Sequence, residues 1–384
     1  MKMEFNNVYE YAVRARRHLH QYPEIGFELE RTAAFVSGEL DEMGIEHTNR
    51  YGKCSIVADL GQGDRMLAFR ADMDALPIEE KTNFPYSSKI PGAMHACGHD
   101  AHTAILLAVA KHLKENESEL PCRVRLIFQP SEECAVSGAK MMVENGVMDG
   151  VDRIICTHCD NGIEAGKIGI CYGDYMAACI PATIRFFGKS THASLPEFGV
   201  DAIAMATEAY IRLKSMLAEE AQGKKYIWSV GRLFGGQAHN VVADRCEMDV
   251  SFRFYDIAFA KSVEDNMNRI CQEVSEKFGG RYEADWFISA GAVHNDEKIV
   301  SEFESIARGS NLDVQIMPSR MSSEDFCWYL DKAPGMIFRF GTKNEALGCT
   351  APAHRSDFCI DEAGMRSAII AFSEFAKNCY RPQS

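Results

Sequence analysis

The stretch MHACGHDAH, residues 94–102, is the most informative part of this 384-residue chain. It places one thiol, one carboxylate and three imidazoles within nine residues. Buried polar side chains need partners, and a metal ion would satisfy several of these at once. Cys97 and His99 are two positions apart, so an extended or looped backbone can direct both to one centre, which a helix cannot. The segment predicts a metal-binding loop, although alone it also fits a histidine-rich surface loop.

Three hydrophobic runs around this loop read as buried strands that end in polar side chains. They lead to Asp72 and Asp74, to Glu132 and Glu133, and to His158. Open α/β sheets build their sites at the carboxyl ends of such strands. Any one run could be a strand followed by an ordinary polar loop. The three together predict one convergent site.

The residue types suggest a hydrolytic metal centre. Cysteine, histidine and glutamate ligands suit zinc and also accept manganese, cobalt or nickel. The adjacent Glu132 and Glu133 cannot both point the same way along an extended backbone, so one can bind metal while the other acts as a general base. Water bound to such a metal has its pKa lowered toward about 7, which supplies hydroxide at neutral pH. This arrangement attacks amide or ester carbonyls.

Five segments of the chain resemble the N-acyl-amino-acid amidohydrolases. These belong to the branch of the aminoacylase-like dinuclear metallopeptidases that includes hippurate hydrolases, auxin-conjugate hydrolases and N-acetyl-diaminopimelate deacetylases. The segments are RRHLHQYPEIGFE (16–28), FRADMDALP (69–77), CGHDAH (97–102), QPSEE (129–133) and GKSTHAS (188–194). They occur in the family's order, and the resemblance extends over nearly the whole chain, which makes it specific.

The resemblance implies two divalent metal ions per subunit, with zinc or manganese as the first choices and cobalt or nickel as alternatives. The implied ligands are Cys97, His99, Glu133, His158 and His354. Glu132 matches the general base of the family. The implied residues that orient these ligands are Asp72, Asp74, Asp100 and His102.

Three further residues match positions that contact substrate in the family. His192 and Asn240 correspond to residues of a smaller domain, which often reach across a dimer. Arg253 lies where an arginine can hold a substrate carboxylate by a bidentate pair, but an arginine on a solvent-facing strand would look the same. The chain departs from the family pattern at Ser190-Thr191 before His192, at Val242-Ala243 after Asn240, and at Cys159-Asp160-Asn161 after His158. Such departures affect the substrate more than the catalysis.

The chain is long enough to expect two domains. The resemblance implies a zinc-peptidase-like α/β catalytic domain, which we predict to be discontinuous and to comprise residues 1–180 and 291–384. Residues 181–290 show the order βαββαβ, which fits an inserted ferredoxin-like α+β domain. Because His354 is needed beside Cys97 and Glu133, the βαββαβ unit must be an insertion. Its expected roles are dimerisation, giving a homodimer or a higher homo-oligomer, and closure over substrate.

Composition is that of an ordinary globular enzyme, with 46% hydrophobic and 25% charged residues. The net charge of −14 argues against nucleic acid or an anionic membrane as a partner. No apolar stretch approaches the roughly 20 residues that span a bilayer, and the first seven residues lack a hydrophobic signal core. The 14 cysteines are mostly scattered and read as reduced thiols. We therefore expect a cytoplasmic protein.

The sequence predicts a metal-dependent amidohydrolase that cleaves N-acyl amino acids or similar small amide conjugates. One alternative is a dipeptidase or carboxypeptidase with the same dimetal centre. Another is a catalytically silent metal-binding protein of the same fold, against which the intact pair Glu132-Glu133 argues, because a binding protein has no need of a base beside a ligand.

Overall fold

The computed structural model describes residues 4–380, which form two compact units. The first unit contains the chain up to Tyr175, His294–Ser319 and the chain from Asp325 onward. The second unit contains Met176–Val293 and Arg320–Glu324. The first unit is therefore interrupted by the second. The boundaries lie a few residues outside the predicted segment 181–290, and the short segment 320–324 joins the second unit.

The elements of the chain up to residue 176 are α1 (Glu4–Gln21), α2 (Glu30–Glu42), β1 (His47–Thr48), β2 (Ile56–Leu60), β3 (Met66–Asp72), α3 (His99–Glu115), β4 (Arg123–Gln129), α4 (Gly138–Glu144), β5 (Arg153–Glu164), β6 (Lys167–Ile170) and β7 (Gly173–Met176). Those that follow are β8 (Ala178–Phe187), α5 (Ala202–Glu220), β9 (Tyr226–Gly235), β10 (Arg245–Phe254), α6 (Ile257–Phe278) and β11 (Arg281–Trp286). The last are β12 (Val293–Asn295), α7 (Glu297–Gly309), β13 (Asp313–Ile316), α8 (Cys327–Leu330), β14 (Gly335–Lys343) and α9 (Met365–Asn378). The chain thus has a mixed α/β fold.

The first unit is built on an eight-stranded sheet of order β1-β2-β4-β3-β5-β14-β6-β13. Strand β3 runs parallel to both β4 and β5, so the carboxyl ends of these three strands meet at one edge. In this register Asp72 lies opposite Gln129. Arg70 lies opposite Cys156, which brings His158 level with Asp72. The predicted convergence of the three strand ends is therefore present.

The buried centre of this unit follows from its apolar strands and from helix α3. Every residue of β3 is buried, as expected for a strand of a parallel sheet that is covered on both faces. Fourteen of the 17 residues of α3 are also buried. This helix begins at His99, directly after the loop that carries Cys97. Gly98 has a left-handed φ of +85° that ends the preceding loop and starts the helix.

The second unit has the order β8-α5-β9-β10-α6-β11. Its four strands form an antiparallel sheet of order β11-β8-β10-β9. Burial alternates strictly along β8, so one face of the sheet packs in the core and the other is more exposed. The buried faces of α5 and α6 join that core, which is separate from the core of the first unit. Strand β9 is an edge of the sheet and is largely exposed.

Candidate metal centre

The loop before α3 directs Cys97 and His99 toward the carboxyl ends of the strands. Two features require a glycine at position 98, which lies between Cys97 and His99: the left-handed φ of the backbone and the close approach of Cys159. A Cβ at this position would lie 2.4 Å from the Cys159 sulfur. The positions of both predicted ligands therefore depend on a glycine at 98.

Each of the five predicted ligands lies in a cluster of donor atoms within 4.8 Å of one another. One cluster joins Cys97, His99 and His158, and a second joins Cys97, Glu133 and His354. Cys97 belongs to both. The sulfur of Cys97 lies 3.3 Å from Nε2 of His158, and the Nδ1–H of His158 donates to the carbonyl of Cys159 at 2.8 Å. The lone pair of His158 Nε2 is thereby directed to the centre.

The two glutamates lie in a tight turn after β4. Ser131 has a left-handed φ of +54°, an unusual conformation for a residue other than glycine. The backbone N–H groups of Glu132 and Glu133 donate to the two carboxylate oxygens of Asp74, at 3.0 and 3.1 Å. Asp74 thus fixes the turn that carries both carboxylates. Oε2 of Glu132 and Oε1 of Glu133 each lie 4.0 Å from Nε2 of His99.

His354 reaches the site from the loop between β14 and α9. Its backbone φ is +68°, and its N–H donates to the carbonyl of Ala96 at 2.8 Å. Its Nε2 lies 3.0 Å from Oε1 of Glu133. The His354 side chain is 54% exposed whereas that of His99 is fully buried, so the donor atoms extend from the interior of the unit to its surface.

Asp72 and His102 hold each other beside the centre. The Nδ1–H of His102 donates to Asp72 at 2.6 Å, and its Nε2 accepts from the N–H of Cys159 at 2.9 Å. Both ring nitrogens of His102 are therefore engaged, in the neutral Nδ1–H form. Burial lowers the pKa of His102 further than Asp72 raises it, which is consistent with a neutral ring.

A buried polar network behind Asp72 was not anticipated from the sequence. The Arg70 guanidinium donates to Asp72 at 2.6 Å, to Gln129 at 2.7 Å and to Asp325 at 2.8 Å. Tyr329 donates to Gln129 at 3.1 Å, which extends the network to α8. Arg70 is a charged residue within the otherwise apolar run of residues 66–71, and that signal points to buried partners. Asp325 and Tyr329 carry no comparable sequence signal.

Asp100 faces away from the two clusters that contain Cys97. Its Oδ2 accepts from Nε of Arg16 at 2.8 Å and from Nδ1 of His20 at 2.7 Å. Burial alone would raise the pKa of the Asp100 carboxyl, but Arg16 and His20 outweigh it and hold the pKa well below its usual range. The structure therefore places Asp100 in an ion pair with α1, where it anchors the first turn of α3. Its described side-chain contacts do not include a predicted ligand.

The three predicted substrate residues lie in the second unit. His192 and Val241 form an antiparallel bridge, and the N–H of Ala193 donates to the carbonyl of Asn240 at 2.9 Å. The backbone thus brings His192 and Asn240 together on an exposed loop pair. Arg253, on β10, donates to the carbonyl of Met321 at 3.2 Å and to the hydroxyl of Ser323 at 2.8 Å.

The donor set fits divalent metal ions. Nδ1 of the buried His99 lies 3.4 Å from Oδ1 of Asp74, and its Nε2 has no hydrogen-bond partner among the described residues. Burial alone would lower the pKa of His99, but Asp72 and Asp74 outweigh it and raise the pKa to about 10, which shows how negative the site is. Burial and Glu133 raise the pKa of the Cys97 thiol well above its usual range. A divalent cation would reverse this by favouring the thiolate.

Comparison with known proteins places these features in a family. The model of peptidase family M20/M25/M40 matches residues 68–378. The chain belongs to this family. It is 36% identical to the N-acetyl-L-cysteine deacetylase of Bacillus subtilis over 94% of this chain and 86% of that protein. It is 41% identical to the N-acyl-L-amino acid amidohydrolase of Geobacillus stearothermophilus over 70% and 73%, respectively.

Two further relatives extend the comparison. Thermostable carboxypeptidase 1 of Saccharolobus solfataricus is 32% identical over 98% of this chain and 97% of that protein. A crystal structure of a Bacillus subtilis protein described as a dinuclear metal-binding peptidase of the M20 family superposes with a TM-score of 0.85 at 31% identity. The match covers 97% of this chain and 98% of the other. The resemblance inferred from the sequence is confirmed, and the chain is a hydrolase of amide bonds.

Proposed function

We propose that this protein hydrolyses the amide bond of N-acyl amino acids or similar small conjugates, with Glu132 as the general base. The observation that carries the proposal is the turn that Asp74 fixes. It presents Glu133 to the Cys97 and His354 cluster and leaves Glu132 beside it as a second carboxylate. The side chain of Glu132 is 13% exposed, so water and substrate can reach it.

Two divalent metal ions would be held by Cys97, His99, Glu133, His158 and His354. Zinc or manganese suits this mixed set best, and cobalt or nickel is also compatible. When bound, such ions polarise a carbonyl and supply hydroxide at neutral pH. Because Cys97 belongs to both donor clusters, we propose that it is shared between the two metal positions.

Glu132 would take the proton of the attacking water and then deliver it to the departing amine. A carboxylate suits both steps when it is held beside the reacting atoms and can change its protonation state during turnover. Asp74 would keep the base in place through the backbone of the turn, and Asp72 with His102 would support the buried end of the site.

The proposed substrate contacts come from the second unit. Nδ1 of His192 accepts from the N–H of Ser194 at 3.2 Å and lies 2.7 Å from its hydroxyl, which leaves Nε2–H as an outward donor. Such a donor can stabilise a developing oxyanion, and Asn240 lies on the adjoining strand of the loop pair. Arg253 would pair with the substrate carboxylate.

We also propose that the first unit carries the catalysis and that the second unit forms a homodimer. Strand β9 has an unpaired edge and exposes Ile227, Leu233 and Phe234. Helix α5 exposes Ile203 and Ile211. An open edge with apolar side chains is usually paired or covered in a stable protein.

No helix within residues 4–380 is both long enough and apolar enough to cross a membrane. The 14 cysteines are free thiols, which supports a cytoplasmic location.

The test is amine release from matched substrates by protein loaded with zinc or manganese. N-acetyl and N-benzoyl amino acids would be compared with dipeptides and with N-blocked dipeptides, and chelated protein would serve as the blank. Metal-dependent release from the N-acyl amino acids is expected. Release confined to free dipeptides would identify a dipeptidase, and release confined to the C-terminal residue of blocked dipeptides would identify a carboxypeptidase. Either result would overturn the proposal.

A further inference from the structure

Two cysteines stand at the ends of the loop that carries His354. The sulfurs of Cys349 and Cys359 are 3.0 Å apart, and the two residues are only 3% and 7% exposed. A disulfide requires an S–S distance of about 2.05 Å, so the thiols need to approach by roughly 1 Å to form one. The fold thus places two thiols of one loop in position to react with each other.

The backbone around this pair is fixed independently of the sulfurs. Cys349 and Asn344 exchange both backbone hydrogen bonds, at 2.9 and 3.0 Å. The Asn161 side-chain amide donates to the carbonyls of Ala351 at 2.7 Å and of Cys359 at 2.8 Å. Its Oδ1 accepts from the hydroxyl of Thr342 at 2.7 Å. Asn161 therefore holds both ends of the loop, and the sulfurs stay adjacent without a covalent bond.

We propose that Cys349 and Cys359 form a redox-sensitive pair, in which a peroxide closes a reversible disulfide across the base of the His354 loop. The bond would restrict the loop and slow the loss of metal from the cluster that contains His354. The slower loss of metal rests on the proposed role of His354 as a metal ligand. The disulfide itself rests only on the geometry of the two thiols.

The chemistry balances with one peroxide per disulfide. Contact with the neighbouring thiol lowers the pKa of Cys359 and outweighs the rise that burial causes. The same contact and burial both raise the pKa of Cys349. The Cys359 thiolate attacks the peroxide, so that an S–O bond forms, the O–O bond breaks and the departing hydroxide is protonated to water. The Cys349 sulfur then attacks the Cys359 sulfur. An S–S bond forms, the S–O bond breaks, and the departing hydroxide takes the Cys349 proton.

The loop sequence makes the bond easy to detect. Arg355 lies between the two cysteines, so trypsin separates them into peptides 344–355 and 356–366, each with one cysteine. Metal-loaded full-length protein would be treated with limiting hydrogen peroxide, alkylated and digested. The expected product is the pair of peptides joined by a disulfide, and a dithiol reductant should separate them. Cys134, which is exposed, reports whether the oxidant reached ordinary thiols.

The consequence is measured as the rate at which zinc passes to a chromogenic chelator. Oxidised wild-type protein should release the metal at least about threefold more slowly than reduced protein, because a cross-linked loop has fewer open conformations. Cys349→Ser is the matched control, since it leaves the ligands intact and cannot form the bond. Its release rate should not slow on oxidation.

Two outcomes would overturn the inference. Oxidation of Cys134 without a cross-link between the two peptides would contradict the proposed disulfide. A cross-link without slower metal release would contradict its proposed role in holding His354. Neither readout uses substrate. A protein that forms the cross-link and slows metal release but hydrolyses no N-acyl amino acid would leave this inference standing while the proposed function fails.

Discussion

Oε1 of Glu133 lies 3.0 Å from Nε2 of His354. This contact joins the turn after β4 to the loop before α9. The loop is also attached through the N–H of His354, which donates to the carbonyl of Ala96 beside Cys97. The site is therefore assembled from distant parts of the chain, and a metal bound there would link them.

Removal of metal is expected to lower thermal stability. An ion that binds only the folded protein stabilises it by about 4 kcal/mol when its free concentration is about a thousand times the dissociation constant. Chelation should then lower the melting temperature by roughly 5 °C for a protein of this size. The melting temperatures of the metal-loaded and chelated forms would be measured by calorimetry for the wild-type protein and for His354→Ala. The difference in melting temperature between the two forms should be smaller for His354→Ala. An equal difference in both proteins would place the bound metal elsewhere.

Cys97→Ser is expected to reduce occupancy of both metal positions. Its sulfur is the one donor that belongs to both clusters, and a serine hydroxyl is a poor substitute for a thiolate. Metal content per chain, measured by elemental analysis after dialysis, should fall well below that of the wild-type protein. Cys134→Ser is the matched control because its thiol is exposed and lies in neither of these clusters. Full occupancy in Cys97→Ser would remove Cys97 from the ligand set.

Asp74→Asn tests whether the turn positions the base. The wild-type carboxylate accepts the N–H groups of both glutamates, whereas an amide offers one acceptor and turns a donor toward the other N–H. A misplaced buried hydrogen bond costs about 1–3 kcal/mol, so kcat should fall by roughly 5- to 150-fold. KM and metal content should change much less. A loss confined to metal content would show that Asp74 serves the metal site alone.

The ion pairs between α1 and the loop before α3 predict a loss of stability in acid. Burial alone would raise the pKa of Glu80, but hydrogen bonds from His20, Thr82 and Ser88 outweigh it and lower the pKa to about 2, below the ordinary 4.5. A carboxylate with a lowered pKa stabilises the fold above its ordinary pKa, and this stabilisation is lost as the pH falls from about 4.5 toward 2.

The measurement is the free energy of urea unfolding of chelated wild-type and Glu80→Gln proteins across this pH range. The wild-type protein should be more stable by on the order of 2 kcal/mol near pH 6, and the difference should shrink steadily below about pH 4.5. Metal ligands are common to both proteins and cancel in the difference. A difference in unfolding free energy that grows as the pH falls would contradict this prediction.

The sequence was sufficient to predict the sheet edge on which the site is built. The apolar runs before Asp72, Glu132 and His158 identify buried strands, and parallel pairing then brings their ends together. His354 was inferred from family resemblance, because nothing in its local sequence indicates which distant loop it would meet. The left-handed backbone at Ser131 and His354 is likewise set by tertiary contacts rather than by residue type.

The buried polar contacts of Arg70 and Asp100 were harder to predict from the sequence. Arg70 in the middle of an apolar strand signals a buried counter-charge, but only the fold reveals that Asp325 supplies it together with Asp72. The family resemblance grouped Asp100 with the residues that orient the ligands, yet the first turn of α3 directs it to Arg16 and His20. Adjacent residues of a helix point in different directions, so sequence proximity to a ligand is weak evidence of a role beside the metal.

Glu132→Gln tests the central claim most directly, with metal content and turnover measured on the same sample. The amide preserves the size of the side chain but cannot accept the proton of the attacking water. The account predicts that metal content matches the wild-type protein and that kcat on an N-acetyl amino acid falls by at least about 10³-fold, a loss typical of a residue central to proton transfer. Turnover close to the wild-type rate, with metal bound, would contradict the assignment of Glu132 as the base.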